Sequence, residues 1–181
     1  MMKLGGFGFI KDYDAIKQAG FDYAELDMPE IEALSDGDFD AFRAHVQEMG
    51  FPIPTGARIL PITEPTFFVP GFRETDLRPY LESSCARSAK VGIQKILFGN
   101  GKARWLIDDD SIKHEQVFVS FMRMLCEIAG KHGLSCRITL WSLLAVVLSL
   151  PYAFLDKLFL TRLFGPDAAG KGVRGPAGQY R

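Results

Sequence analysis

One carboxylate and one short loop are the parts of this 181-residue chain best suited to chemistry. Glu25 lies near the end of Phe21-Asp22-Tyr23-Ala24-Glu25-Leu26-Asp27. Alternation at period two puts Phe21, Tyr23, Glu25 and Asp27 on one face of a strand. The carboxyl end of a parallel strand is where α/β enzymes gather substrate-binding groups. The competing reading of Glu25 is a solvated or salt-bridged strand-end carboxylate. The loop is Gly99, Asn100, Gly101 and Arg104. Its glycines would let backbone N–H groups approach an anion, and Arg104 could hold phosphate or carboxylate through two parallel hydrogen bonds. The competing reading is a tight turn with a surface arginine, because a lone Gly-Asn-Gly is a weak signal.

Other reactive side chains read more plainly. His45, His114 and His132 fall on or beside helices, away from strand ends, and are expected as surface histidines and not as ligands. Asp108-Asp109-Asp110 precedes a helix start, where acidic residues favour the helix dipole, and this accounts for them better than metal binding does. Phe7 and Phe9 end the first strand, where they either wall a pocket or join the core. Cys85, Cys126 and Cys136 are odd in number and form no CxxC pair, so buried reduced thiols in a cytosolic protein are expected. A net charge of −1 gives no global electrostatic case for nucleic acid. The opening Met1-Met2-Lys3-Leu4-Gly5-Gly6 lacks the apolar core of a secretory signal, so the expected location is cytoplasmic.

The elements that must position these residues alternate along the chain. Lys3 to Phe7 reads as a strand. Asp12 to Ala19 reads as a helix, with Asp12 as cap and Gly20 as stop. After the strand ending at Asp27, Ser35 caps a helix from Asp36 to Met49 with the stripe Phe39, Phe42, Val46, Met49, and Gly50 ends it. Ile53 to Leu60 is the next strand. The connection Pro61 to Thr75, with Pro61, Pro65 and Pro70, reads as an irregular and functional loop. Asp76 to Lys90 is a helix, Gln94 to Gly99 a strand, and Ser111 to His132 a long helix whose stripe is Val117, Phe121, Leu125 and Ile128. Another strand begins at Leu134. The order βαβαβαβα-β requires parallel strands joined by crossover helices. Pattern alone leaves a closed barrel and an open doubly wound sheet both standing.

Three segments resemble the sugar phosphate isomerase/epimerase family, the xylose-isomerase-like TIM barrels. Asp12 to Leu26, containing Ala19-Gly20-Phe21-Asp22-Tyr23-Ala24-Glu25-Leu26, resembles the entry to that family's second strand. Lys95 to Arg104 resembles its fourth strand and following loop. Ile128 to Leu134 resembles the helix leading into strand five. The three occur in family order and cover about residues 3 to 135. The resemblance implies an α/β fold: a partial (β/α) TIM barrel of the first four to five βα units, with an atypical apolar C-terminal segment. It also implies that Glu25 faces a substrate pocket, that the ligand is a small-molecule sugar or sugar phosphate, and that a divalent metal (Mn, Mg, Co or Zn) assists proton transfer next to a sugar carbonyl.

The chain departs from that family after about residue 135. Strand five there continues with a glutamate ligand followed by Pro-Leu; here Arg137 to Leu150 runs through Trp141 without a carboxylate. No Glu follows Glu127, no His follows His132, and Asp156 and Asp167 are the only later carboxylate side chains. Tight metal binding and catalysis by this chain are therefore not expected. Codon arithmetic permits a frameshift near residues 136 to 141: moving the Trp141-Ser142 codons by one base can give Glu, then Pro and Leu. The expected organisation is a partial barrel over 1–135, an apolar helical segment over 136–164, and a disordered Gly/Pro/basic tail over 165–181. Ile138 to Phe154 carries no charge but is interrupted by Pro151 and is at the short limit for a membrane span, so a membrane anchor is the lesser reading. An open barrel edge is expected to favour self-association.

Overall fold

The computed structural model describes residues 2–64, 66–104 and 111–138. The chain divides into two units, Met1–Leu143 and Leu144–Arg181, and every described residue belongs to the first. Asp108-Asp109-Asp110, the segment 139–164 and the tail 165–181 lie outside the described residues.

Five parallel strands form one sheet in the order β1-β2-β3-β4-β5: Gly5–Gly8, Tyr23–Asp27, Thr55–Ala57, Lys95–Phe98 and Ser135–Ile138. Each strand pairs with its successor in sequence. The right-handed crossover rule then puts every connecting helix on the same face. A doubly wound sheet would reverse direction partway; this sheet does not. The winding is that of a barrel, with five of its strands described. β5 extends to Ile138, so residues 136–138 continue the sheet instead of opening the apolar segment.

The helices are α1 (Tyr13–Gln18), α2 (Met28–Ala33), α3 (Asp36–Met49), α4 (Arg78–Lys90) and α5 (Ser111–Lys131). The expectations for α3 hold at both ends. Ser35 Oγ accepts from the Asp38 N–H at 3.2 Å, and Gly50 takes the left-handed conformation with φ 59°. Asp12 does not cap α1. A 3-10 turn over Ile10–Asp12 leads into that helix, and the Asp12 carboxylate accepts from the Phe9 N–H at 2.9 Å. The short α2, which pattern reading passed over, begins with Pro29 in its first turn. Arg87 of α4 secures its other end: Nη1 donates to the Leu34 carbonyl at 2.6 Å and the Glu32 carbonyl at 2.9 Å, and Nη2 donates to Asp36 at 2.7 Å. A cation is thus placed where the last carbonyls of α2 lack helical partners.

The main core lies between the helices and one face of the sheet. Ala24, Leu26, Ile96 and Phe98 point into it, against Ile31, Leu81, Phe121, Leu125 and Ile128. Contact there is close enough to need a glycine: a Cβ on Gly56 would sit 2.6 Å from Met28 Cγ. Tyr13 is buried and donates its O–H to the Phe51 carbonyl at 2.5 Å. His114 is also buried, its ring 4.4 Å from that of Phe68, which corrects the surface reading for that histidine. Of the cysteines only Cys85 is fully buried; Cys126 is exposed and Cys136 half-buried, and all three are free thiols. Among the described residues no helix is long and apolar enough to cross a membrane.

Candidate functional site

The other face of the sheet is the one a barrel encloses. The strand register assigns its rows. Phe7, Glu25, Thr55, Lys95 and Ser135 pair in sequence as one row across all five strands. Asp27, Ala57, Leu97 and Arg137 form the next row toward the carboxyl ends. These positions alternate with the buried core residues, as the two-residue period of a strand demands.

Phe7 and Phe9 belong to this concave face. They are 54% and 38% exposed, with ring centroids 6.0 Å apart in an edge-on arrangement. They are therefore not part of the core. The loop that carries Phe9 is tied down by Glu30, whose Oε2 accepts from the Ile10 N–H at 2.6 Å. Glu25 stands beside Phe7 in the register. Half-buried, its carboxyl has a pKa raised above the ordinary 4.5, and the cause is desolvation, with no cation among the described residues offsetting it.

The loop after β4 is shaped from within. Gly101 N–H donates to the Gly99 carbonyl at 2.7 Å, closing a three-residue turn around Asn100. The Asn100 side chain is buried and bridges to the preceding βα loop: Nδ2 donates to the Leu60 carbonyl at 2.7 Å, and Oδ1 accepts from the Leu60 N–H at 3.4 Å. Arg104 is only 5% exposed. Its Nε donates to the Asn100 carbonyl at 3.2 Å, and its guanidinium carbon lies 5.3 Å from the Phe98 ring centroid and 5.9 Å from that of Phe118. Burial lowers its pKa to about 10. The surface-arginine reading is thereby corrected: aromatic faces from β4 and α5 enclose this cation.

Gly99, Asn100, Gly101 and Arg104 thus come together in one turn at the end of β4. Glu25 is two strands away on β2. Sequence reading missed a pair that the fold builds between them. Asp27, 2% exposed at the end of β2, accepts from Arg58 Nε at 2.6 Å. Arg58 follows β3 directly and is the one non-glycine residue with positive φ among those described, at 52°. Two signals were available: Asp27 shares the period-two face of Glu25, and Arg58 is the only charge between Ile53 and Leu60.

The long connection after β3 closes over the same end of the sheet. The Thr66 and Phe67 N–H groups both donate to the Ala103 carbonyl, at 3.2 and 3.0 Å. Phe67 is buried among the rings of Phe98, Phe118 and Phe121. The strand-end surface is therefore built from interlocked loops, with an aromatic wall, a half-buried acid and a tethered guanidinium. Such groups suit a small polyhydroxylated ligand: rings against C–H faces, and charged groups on hydroxyls. Among the described residues, no three His, Cys, Asp or Glu side chains come together as a metal-holding group.

No protein-family model matches the sequence, and no curated protein matches it. Solved structures do. A D-psicose 3-epimerase crystallised with D-fructose is 18% identical with a TM-score of 0.61, over 76% of this chain and 52% of that one. A 3-keto-D-glucoside 4-epimerase from E. coli is 18% identical with a TM-score of 0.58, over 76% of this chain and 56% of that one. A D-allulose 3-epimerase from Methylomonas sp. is 14% identical with a TM-score of 0.62, over 82% of this chain and 59% of that one. The chain spans between half and three-fifths of the length of these proteins. At such identities the likeness is one of fold, and the fold is that of a (β/α) TIM barrel, present in part.

Proposed function

We propose that the chain belongs to the sugar isomerase/epimerase family and binds a sugar of the ketohexose class at the carboxyl ends of its strands, without turning it over. The observation that carries this reading is Glu25: a carboxylate with its pKa raised by burial, on the concave face, next to the exposed rings of Phe7 and Phe9. A sugar presents hydroxyls to the carboxylate and C–H groups to the rings. Gly99 and Gly101 border the site at the end of β4, while Asn100 and Arg104 hold that loop in shape. The neighbours in fold, named for D-psicose and D-allulose epimerisation, support the substrate class.

The family reaction moves a proton beside a carbonyl with a divalent metal to stabilise the developing charge. The described residues offer one candidate acid/base in Glu25 but no ligand set, and no step is derived through a metal. Binding is tested by titrating the full-length protein with D-fructose and following Phe7, Phe9 and Glu25 by NMR. Saturable shifts confined to this face, lost in Glu25→Ala, are the expected result; shifts elsewhere or none overturn the reading. Measurable epimerisation with added Mn²⁺ would overturn the absence of turnover while keeping the site.

A further inference from the structure

The pair built by Asp27 and Arg58 has no role in the family reading, yet it is held both by a short contact and by an unusual backbone conformation. Arg58 adopts φ 52°, a region that a side chain with a Cβ occupies only at a cost in free energy. Asp27 is buried and uses one oxygen to hold Nε of the guanidinium at 2.6 Å. The Arg58 side chain remains 40% exposed, and among the described residues its two terminal nitrogens make no hydrogen bond. A guanidinium gripped at Nε keeps its Nη edge available in a fixed orientation. This is the preorganisation that bidentate recognition of an oxyanion uses. Lys95 and Arg137, both exposed on the concave face, add positive charge on its β4–β5 side. Arg104, the arginine that sequence reading assigned to an anion, is 5% exposed.

We propose that Arg58 is the anion-binding residue of this surface and that the sugar it takes carries an oxyanion, a phosphate or a carboxylate. This inference rests on the sugar-site reading for the sugar, and on Arg58 alone for the anion. Asp27 is the positioning residue: it fixes the plane of the guanidinium and does not itself touch the ligand.

The test is calorimetric titration of the full-length protein at low ionic strength with D-fructose, D-fructose 6-phosphate, D-glucuronate and inorganic phosphate. An anionic sugar is expected to bind at least about tenfold tighter than D-fructose, the scale of one charge-assisted bidentate contact. Which of D-fructose 6-phosphate and D-glucuronate gains more identifies the oxyanion. In Arg58→Gln the ratio falls to about one, and inorganic phosphate no longer binds. Because Arg58→Gln leaves Asp27 buried without its cation, two further variants guard against misfolding. Arg58→Lys keeps the charge and loses the fork, and Asp27→Asn with Arg58→Gln replaces the pair by neutral amides. Both are expected to lose most of the anionic preference while keeping the native circular dichroism. If the preference survives in folded variants, or neutral and anionic sugars bind wild type equally, the inference is overturned. If no sugar binds but phosphate does, and Arg58→Gln abolishes it, the sugar-site reading fails and the Arg58 site stands. If neither binds, both fall.

Discussion

Phe67→Ala tests whether the loop after β3 is held by its aromatic plug. Phe67 is 1% exposed, and five rings surround it: Phe121 at 4.6 Å, Phe72 at 5.3 Å, Phe118 at 6.0 Å, Phe98 at 6.2 Å and Phe68 at 6.4 Å between centroids. Truncating a buried Phe to Ala costs ~3–5 kcal/mol in lost transfer energy and residual cavity. Edge-on ring pairs add ~0.5–1.5 kcal/mol each, which puts this site in the upper half of that range. Against a total stability of ~5–15 kcal/mol the loss is severe. Phe67→Leu keeps an apolar plug and should cost about 1–2 kcal/mol. The assay is urea unfolding followed by circular dichroism, with hydrogen exchange of the Phe67 amide, which donates to the Ala103 carbonyl. Alanine is expected to lower the midpoint at unchanged slope and to expose that amide to exchange. A loss below about 1 kcal/mol, with amide protection intact, would show that the loop is anchored by something other than Phe67.

Three smaller perturbations probe other links. Burial raises the Glu25 pKa, so the folded state favours the protonated form; the stability this gives is present below the ordinary carboxylate value of 4.5 and is lost as pH rises through the raised folded value. Glu25→Gln should therefore melt higher than wild type at neutral pH and level with it in acid; a gap of constant size across that range would contradict the desolvation argument. Gly56→Ala pushes a methyl to 2.6 Å from Met28 Cγ and 3.1 Å from Ile93 Cδ1, and thermal melts should show a loss of about 1–3 kcal/mol. Ser35→Ala removes the acceptor for the Asp38 N–H and should cost ~1 kcal/mol, with Ser35→Gly nearly neutral.

Local signals carried the reading of the chain as far as local forces act. α3 was legible because its cap, its apolar stripe and its terminal glycine lie within sixteen residues of one another. α2 was not: six residues with a proline in the first turn have little helical period, and the group that completes them, Arg87, is supplied by α4. The strands were legible in number and order but came out shorter than their alternation suggested, β3 keeping only Thr55–Ala57 of Ile53 to Leu60. Residues flanking a strand alternate too, and only pairing decides where the ladder stops. Burial of Arg104 and His114 could not be read at all. Charged and polar residues default to the surface, and only packing decides that Phe98 and Phe118, on the elements either side of Arg104, enclose it and that Phe68 stacks near His114. Alternation put Phe7 with its own face but could not say which face the helices would cover.

The two faces of this sheet obey different rules, and the proposed site rests on the difference. The helix face is uniformly apolar and closed. The row Phe7, Glu25, Thr55, Lys95, Ser135 faces the side that barrels usually fill with bulky aliphatic layers, yet it holds an acid and a cation. Neighbouring strands lie ~4.8 Å apart, so Glu25 and Lys95, on either side of Thr55, are separated by about 10 Å at the backbone. At that distance a half-buried carboxylate is desolvated without being neutralised, which is the condition of Glu25. Thr55, small and polar, stands between them in the row. A ligand with hydroxyls at one end and an oxyanion at the other would satisfy the acid and the cationic side together, while Arg58, fixed by Asp27 at the next row, sets the direction in which it lies. The fold supplies only the parallel strand ends; on the proposed reading, Glu25, Lys95 and the Nη edge of Arg58 select what binds there.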